Sequence, residues 1–362
     1  MVKKGFLKAN LRIGIYYFRN ILENEVIFMN YIIFGGSGFI GTHLIHLLKE
    51  ECVTENDKIY DLDIVMPGEE GVVPGVVEKN DGVEYIRLDV RQPIDFSFQP
   101  TQDDIIFNLA AVHRTPGHPD EAYFETNIRG AENVVDFADR YNIHKILFTS
   151  SIAPYGASED LKLEDTLPMP NTPYGISKLV AEKIHEKWQA EDKSRELTIV
   201  RPGIVYGKGE HGNMTRLYWG QRKHYFFYTG RKDTIKASMY VKELVRFFKY
   251  RMIDNDFVGT DIYNCTFEPA YTIQEICETM QKATNMKHYI PLVPAGLLMG
   301  AARILGPLGG KKLGIHPDRV KKLMVSTNVS GKKLAECGYT FHYTLEESFR
   351  DWFKDCNEEG LR

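Results

Sequence analysis

At 362 residues the chain can bury a large core, and ordinary domain sizes divide it into two domains that need neither disulfide staples nor a structural metal. Hydrophobic residues at 43% and charged residues at 26% are those of a globular protein. The formal net charge of -4 argues against a nucleic-acid or anionic-membrane partner, since either would favour a strongly basic surface, and no stable membrane insertion is expected. The five cysteines, Cys52, Cys265, Cys277, Cys337 and Cys356, are odd in number and lack C-x-x-C spacing, which fits a reducing cytoplasm and no metal site.

Residues 1–28 carry Lys3, Lys4, Lys8 and Arg12 among aromatics, without a clean apolar core or a small-residue cleavage site, so they do not read as a signal peptide. They read as a leader outside the fold, with a basic amphipathic anchor as the sharper alternative. From Met29 onward short apolar runs alternate with amphipathic stretches, the pattern of a parallel sheet. Strands are expected at 31–34, 58–62, 84–88, 105–109, 145–149 and 197–201, with helices such as 41–48 between them. The apolar stretch from Leu292 to Gly310 holds Pro294, Arg303 and Pro307, is too interrupted to span a bilayer, and reads as a buried or lid helix.

Gly35-Gly36-Ser37-Gly38-Phe39-Ile40-Gly41 directly follows the first strand and opens the first helix. A dinucleotide needs a tight turn there, close backbone approach to its pyrophosphate, and the N–H donors of a helix N-terminus. Gly35, Gly38 and Gly41 fill those roles, with Phe39 and Ile40 beginning the helix. The G-x-x-G-x-x-G spacing departs from the commoner G-x-G-x-x-G, and a simple turn is the bland alternative. Asp61 ends the second strand, where a carboxylate can accept from both ribose hydroxyls and repel a 2′-phosphate. No Arg or Lys follows until Lys79, so NAD is expected over NADP, with Asp63 a second holder of the role. Asp89, followed by Val90 at the end of the third strand, can accept from the adenine amino group or simply cap the strand.

Pro173-Tyr174-Gly175-Ile176-Ser177-Lys178 should open a helix running to about Gln189, with Tyr174 and Lys178 on one face. A unit charge at ~4 Å and an effective dielectric of ~20 is worth about 4 kcal/mol, roughly three pKa units, so Lys178 is expected to pull the phenol toward neutrality. Upstream, Thr149-Ser150-Ser151-Ile152-Ala153 leaves the carboxyl end of a strand, where ligands of doubly wound sheets sit. Ser151 can orient a substrate oxygen there while Tyr174 moves its proton. The bland readings are a surface Tyr/Lys pair and loop serines.

Taken in order with Asn108-Leu109-Ala110-Ala111 and Arg201-Pro202-Gly203-Ile204-Val205-Tyr206-Gly207, these motifs resemble the extended short-chain dehydrogenase/reductases over essentially Met29 to the C-terminus. The chain looks most like the NAD-dependent epimerase/dehydratase group, whose typical substrate is a nucleotide sugar. The resemblance implies a Rossmann-type α/β domain over 29–205 and about 237–268, and a smaller, mostly helical substrate-binding domain over 206–236 and 269–362. It implies Ser151, Tyr174 and Lys178 as catalytic residues, and Ala110, Ala111, His113, Pro202 and Gly203 as further cofactor contacts. Asn213 with Met214, Lys236 and Arg319 are the implied partners of base and diphosphate. It also implies a homodimer built on helices at 119–141 and 172–189, which carry more apolar residues than one sheet-facing stripe requires.

Departures from the family pattern narrow the reaction. Dehydratases carry an Asp-Glu pair after the active-site Ser/Thr, and this chain has Ile152-Ala153, so epimerisation is expected. Ile204 and Lys242-Glu243 also replace family residues. Ile204 and the apolar stretch near Leu297 favour, as an alternative, a dehydrogenase of a sterol-like alcohol. An NAD-sensing binder is the third reading, opposed by the intact Ser151, Tyr174 and Lys178.

Overall fold

The computed structural model describes residues 28–69, 82–113, 117–255, 257–305 and 324–362. The leader expected at residues 1–28 lies almost wholly outside them. The first half of the chain runs β1 (Asn30–Phe34), α1 (Phe39–Glu51), β2 (Lys58–Asp63), β3 (Val83–Arg87), β4 (Ile105–Asn108), α2 (Asp120–Arg140), β5 (Lys145–Thr149), β6 (Ser158–Lys162), α3 (Pro173–Glu191) and β7 (Glu196–Pro202). There follow β8 (Ile204–Tyr206), α4 (Asn213–Arg222), β9 (Tyr228–Thr229), β10 (Ser238–Tyr240), α5 (Val241–Met252), β11 (Gly259–Cys265), α6 (Ile273–Ala283), β12 (Leu292–Val293), α7 (Ala295–Leu305), β13 (Thr327–Val329), α8 (Lys332–Glu336) and α9 (Leu345–Asp355).

Seven strands form one sheet in the order β11-β7-β5-β4-β1-β2-β3, with all neighbours parallel. Its central strands are covered on both faces, which is why they read as unbroken apolar runs such as Ile32-Ile33-Phe34 and Ile105-Ile106-Phe107. One face packs on α1 and α5 through Leu44, Leu48, Leu244 and Phe248. The other packs on α2 and α3 through Val134, Phe137, Ala181 and Trp188. Strand order reverses between β1 and β4, which opens a crevice at the carboxyl ends of these strands.

Six of these strands were expected, and β11 was not. It pairs with β7 over the whole register Gly259↔Glu196 to Cys265↔Pro202. Its polar Asp261 and Asn264 interrupt the apolar run that marks the central strands β1 and β4. A third apolar cluster, including Tyr206, Tyr218, Ile276, Phe349 and Trp352, lies among β8, α4, α6 and α9. The helix expected in the stretch from Leu292 forms as α7, and Leu297 in its first turn is 68% exposed, which removes the buried form of that expectation but not the lid form. No helix among the described residues is long and apolar enough to cross a membrane.

Candidate active site

The glycine loop sits at the crevice. Gly35 has φ +82°, and a Cβ there would lie 2.8 Å from the Ala110 nitrogen, so the turn requires glycine. A Cβ on Gly41 would lie 2.5 Å from both the Gly35 oxygen and the Gly36 Cα, so only glycine lets α1 start this close to the loop. Gly38 precedes Phe39 and Ile40 at the helix start, and no side chain caps it, which leaves that end of α1 available to an anion.

Asp61 is fully buried; its Oδ2 accepts from the Ser37 hydroxyl at 2.7 Å, while Oδ1 has no partner. Burial pushes its pKa up to about 7, opposed by the Ser37 hydrogen bond. A buried acceptor left unpaired is costly, and a ribose hydroxyl would satisfy it. The residues present therefore fit the adenosine half of NAD. The alternative holder, Asp63, is engaged through Oδ1 by the Val65 N–H at 3.2 Å. Asp89 accepts from both Nε and Nη2 of Arg91, the latter at 2.6 Å, so its carboxylate is paired within its own loop. Val90 is buried, and its Cγ2 lies where a Cβ on Gly130 would need room.

Ala110 and Ala111 follow β4 and lead into His113, the last described residue before 117. Asn127 on α2, which the sequence reading passed over, pins this loop. Its Oδ1 accepts from the Val112 N–H at 2.9 Å, and its Nδ2 donates to the Val112 carbonyl and to the Ser177 hydroxyl. Pro202 accepts from the Ile152 N–H at 3.1 Å, which draws Pro202 and Gly203 against the serine loop.

Ser151, which directly follows β5, and the Tyr174–Lys178 pair on α3 come together at the carboxyl end of β5. Thr172 caps α3 by accepting from the Gly175 N–H at 3.1 Å, and the first turns then aim Tyr174 and Lys178 at this strand end. Ser151 Oγ accepts from the Ala153 N–H at 3.1 Å, and its hydroxyl is near enough to the Tyr174 phenol to oppose the rise in that group's pKa. Lys178, 3% exposed, donates to the Thr149 carbonyl at 2.8 Å and lies 4.9 Å from the Phe148 ring centre.

The charge state differs from the sequence expectation. Burial raises the Tyr174 pKa above the ordinary phenol value, with Ser151 opposing and Tyr123 adding to the rise. Lys178 is itself driven down to about 7 by burial, offset in part by Glu182. Desolvation of both groups thus outweighs the pull anticipated from one charge beside the other, and the free chain keeps the phenol protonated.

A buried polar network underlies Lys178. Glu182, four residues further along the same helical face, receives Arg201 Nε at 2.9 Å and Nη2 at 2.7 Å, and the Ser150 hydroxyl at 2.5 Å. Arg201 Nη1 donates in turn to the Tyr155 hydroxyl at 2.6 Å. Burial works against the Arg201 charge, but the Glu182 hydrogen bonds and charge outweigh it and hold the guanidinium protonated. The i+4 spacing of Glu182 from Lys178 was the available signal for this support.

The substrate residues are less assembled. Met214 is buried in the third cluster, and Asn213 accepts from Arg216 at 2.9 Å. The N–H groups of Met214 and Thr215, at the start of α4, are taken by the Glu210 carboxylate at 3.2 and 3.0 Å. Lys236 donates to the Val325 carbonyl at 2.8 Å, and its pKa is lowered by burial. Arg319 lies outside the described residues.

Residues 31–265 match the NAD dependent epimerase/dehydratase family. The chain belongs to that family. It is accordingly an NAD-dependent enzyme of the extended short-chain dehydrogenase/reductase type, with the Rossmann-like fold of that group. It is 28% identical to the N-acetyl-alpha-D-glucosaminyl-diphospho-ditrans,octacis-undecaprenol 4-epimerase of Escherichia coli O157:H7, over 88% of this chain and 92% of that protein. It is 26% identical to a decarboxylating sterol-4-alpha-carboxylate 3-dehydrogenase of Candida albicans, over 90% and 97%. The similarity to UDP-glucose 4-epimerase 3 of rice, 28% identical, spans 47% of each chain. Among solved structures, the UDP-glucuronic acid 4-epimerase of Bacillus cereus in complex with NAD superposes with a TM-score of 0.65 at 18% identity, over 91% of this chain and all of that one.

Proposed function

We propose that this family member inverts C4 of a sugar carried on a diphosphate, through a transient keto sugar, as the nucleotide-sugar epimerases do. The observation that carries the reading is that Ser151, Tyr174 and Lys178 gather at the carboxyl end of β5, with no acid/base pair after Ser151. Bound NAD would supply the acceptor and donor of hydride. Tyr174 takes the proton from the sugar hydroxyl and later returns it, and Ser151 holds that oxygen in line. Lys178 holds the nicotinamide ribose and, when protonated, favours the phenolate. Gly35, Gly38, Gly41, Asp61, Pro202 and Gly203 bind the cofactor. Residues 206–236 and 269–362 form the substrate part, with Lys236 and Arg319 as phosphate partners.

The matched relatives favour a second form of the same substrate chemistry. Similarity to the undecaprenol-linked epimerase runs the length of both chains, whereas similarity to the rice UDP-glucose epimerase stops at about half. A sugar diphosphate on a polyprenyl lipid is therefore the second reading. Incubation with UDP-sugars and with a polyprenyl-diphosphate sugar tests both. Epimerised sugar without net NADH supports the reaction, and stoichiometric NADH would instead mark a dehydrogenase. We further propose a cytoplasmic homodimer. All five cysteines are free, and Ile176 and Val180 stand exposed one turn apart on α3, 39% and 37% accessible.

A further inference from the structure

Thirteen large apolar side chains are exposed among the described residues, and five of them, Tyr225, Phe227, Tyr289, Leu292 and Leu297, come from two short segments. Pairing of β9 with β12, Tyr228↔Leu292 and Thr229↔Val293, brings those segments side by side. The Gly230 N–H donates to the Val293 carbonyl at 2.9 Å and carries the contact on to the start of α7. The most exposed members are Tyr289 at 80%, Leu297 at 68% and Tyr225 at 61%. Contiguous exposed apolar surface on a globular chain marks an interaction site.

The charges around this corner indicate what covers it. Lys223, His224 and Lys287 are exposed on the same two segments, and the rings of His224 and His288 meet at 4.6 Å across them. Of the acids on adjoining segments, Asp233 is paired with Arg231, while Glu278 is held by the neutral Gln274 amide and keeps its charge against the three basic groups. Tyrosines beside aliphatic side chains with a lysine rim are the composition of surfaces that sit at a bilayer's headgroup level and are drawn to anionic lipid. The other exposed apolar run, Leu161 to Met169, is interleaved with Glu164 and Asp165, which such a surface would repel. The whole-chain charge of -4 excludes a uniformly basic surface and leaves a local one open.

We infer that the corner formed by β9, β12 and the first turn of α7 docks the protein reversibly on an anionic phospholipid bilayer. The inference deepens the lipid-linked reading of the substrate and rests on it for its purpose. From β9 the chain leads through residues 230–235 to Lys236 and Ala237, and the Ala237 carbonyl accepts from the Ile204 N–H at 2.9 Å. The docking corner and the proposed substrate residues are thereby joined by one short segment, and a lipid-borne diphosphate would reach the site from the bilayer side.

Co-sedimentation of the full-length protein with vesicles tests this. Wild type should pellet with vesicles of equal parts phosphatidylcholine and phosphatidylglycerol, and much less with phosphatidylcholine alone or in about 0.5 M salt, where charge attraction is screened. Leu297→Asp and Tyr289→Asp should each lower partition on the order of tenfold, with the melting temperature unchanged, because both side chains are exposed. Wild type that stays in the supernatant overturns the inference, as do variants that pellet like wild type. A Leu297→Asp variant that converts a dimer to a monomer in light scattering without altering sedimentation also overturns it, assigning the corner to a second copy. The substrate reading fails separately, if UDP-sugars turn over and polyprenyl-diphosphate sugars do not.

Discussion

Replacing Glu182 by Gln should be among the most damaging single substitutions that leave the glycine loop, Ser151, Tyr174 and Lys178 in place. Glu182 and Arg201 form a two-pronged ion pair with side chains 0% and 3% exposed, so the substitution keeps the shape and strands a buried guanidinium. Stranding one partner of such a pair costs about 3–5 kcal/mol. With an unfolding entropy of about 2.1 cal/mol/K per residue, a chain of 362 residues shifts by roughly 1.3 °C per kcal/mol, a fall of about 4–7 °C in melting temperature. A second effect follows from the position of Glu182 behind Lys178. Its charge partly offsets the burial that brings Lys178 to about 7, so without it the lysine loses its proton at lower pH. NADH affinity, measured by calorimetric titration, should therefore weaken more at pH 8 than at pH 6, and more steeply in the variant than in wild type. Removing both charges, as Glu182→Leu with Arg201→Met, should recover much of the stability but not the NADH pH profile. A Glu182→Gln protein that melts within 2 °C of wild type would refute the reasoning.

Tyr174→Phe should leave NAD binding intact while turnover falls by the ~10²–10⁴-fold typical of a lost general acid/base, and near-normal turnover would remove Tyr174 from the mechanism. Ser151→Ala should cost less than Tyr174→Phe, since water can replace its hydroxyl in part, whereas Lys178→Ala should reduce both NAD affinity and turnover. Burial holds the folded Asp61 pKa at about 7, above its unfolded value, so the stability tied to its protonated form is present at low pH and lost as pH rises through 7. Urea melts of wild type and Asp61→Asn should accordingly diverge in favour of the variant between pH 5 and pH 8, while the variant binds NAD more weakly; parallel pH profiles would contradict the buried carboxylate. Gly41→Ala places a methyl 2.5 Å from the Gly35 oxygen and should abolish the thermal shift caused by NAD. Ile176→Glu with Val180→Glu should yield a monomer by light scattering if α3 carries the dimer contact.

Much of the framework was legible because it rests on local rules. Short apolar runs, unbroken in the central strands and mixed with charges in β2 and β3, announced six of the seven sheet strands, the glycine spacing announced the tight turn before α1, and Tyr174 and Lys178 share a helical face whatever the rest of the chain does. β11 escaped notice because Asp261 and Asn264 interrupt its apolar pattern, and because only pairing with β7 makes it a strand of the sheet. The buried alternative for α7 failed at Leu297 for a related reason, since an apolar sequence states a preference for burial and not which surface supplies it.

The sequence by itself determined the doubly wound architecture, the cofactor turn and the residue types of the proposed chemistry, since each depends on contacts within a few residues or on the strand period. The tertiary structure alone decided which distant groups meet: Ser151 near Tyr174, Glu182 with Arg201, Glu210 with the start of α4, and Tyr228 beside Leu292. It also decided the charges. The pKa values of Tyr174, Lys178 and Asp61 follow how much water each group loses on folding, a quantity set by packing from several elements at once.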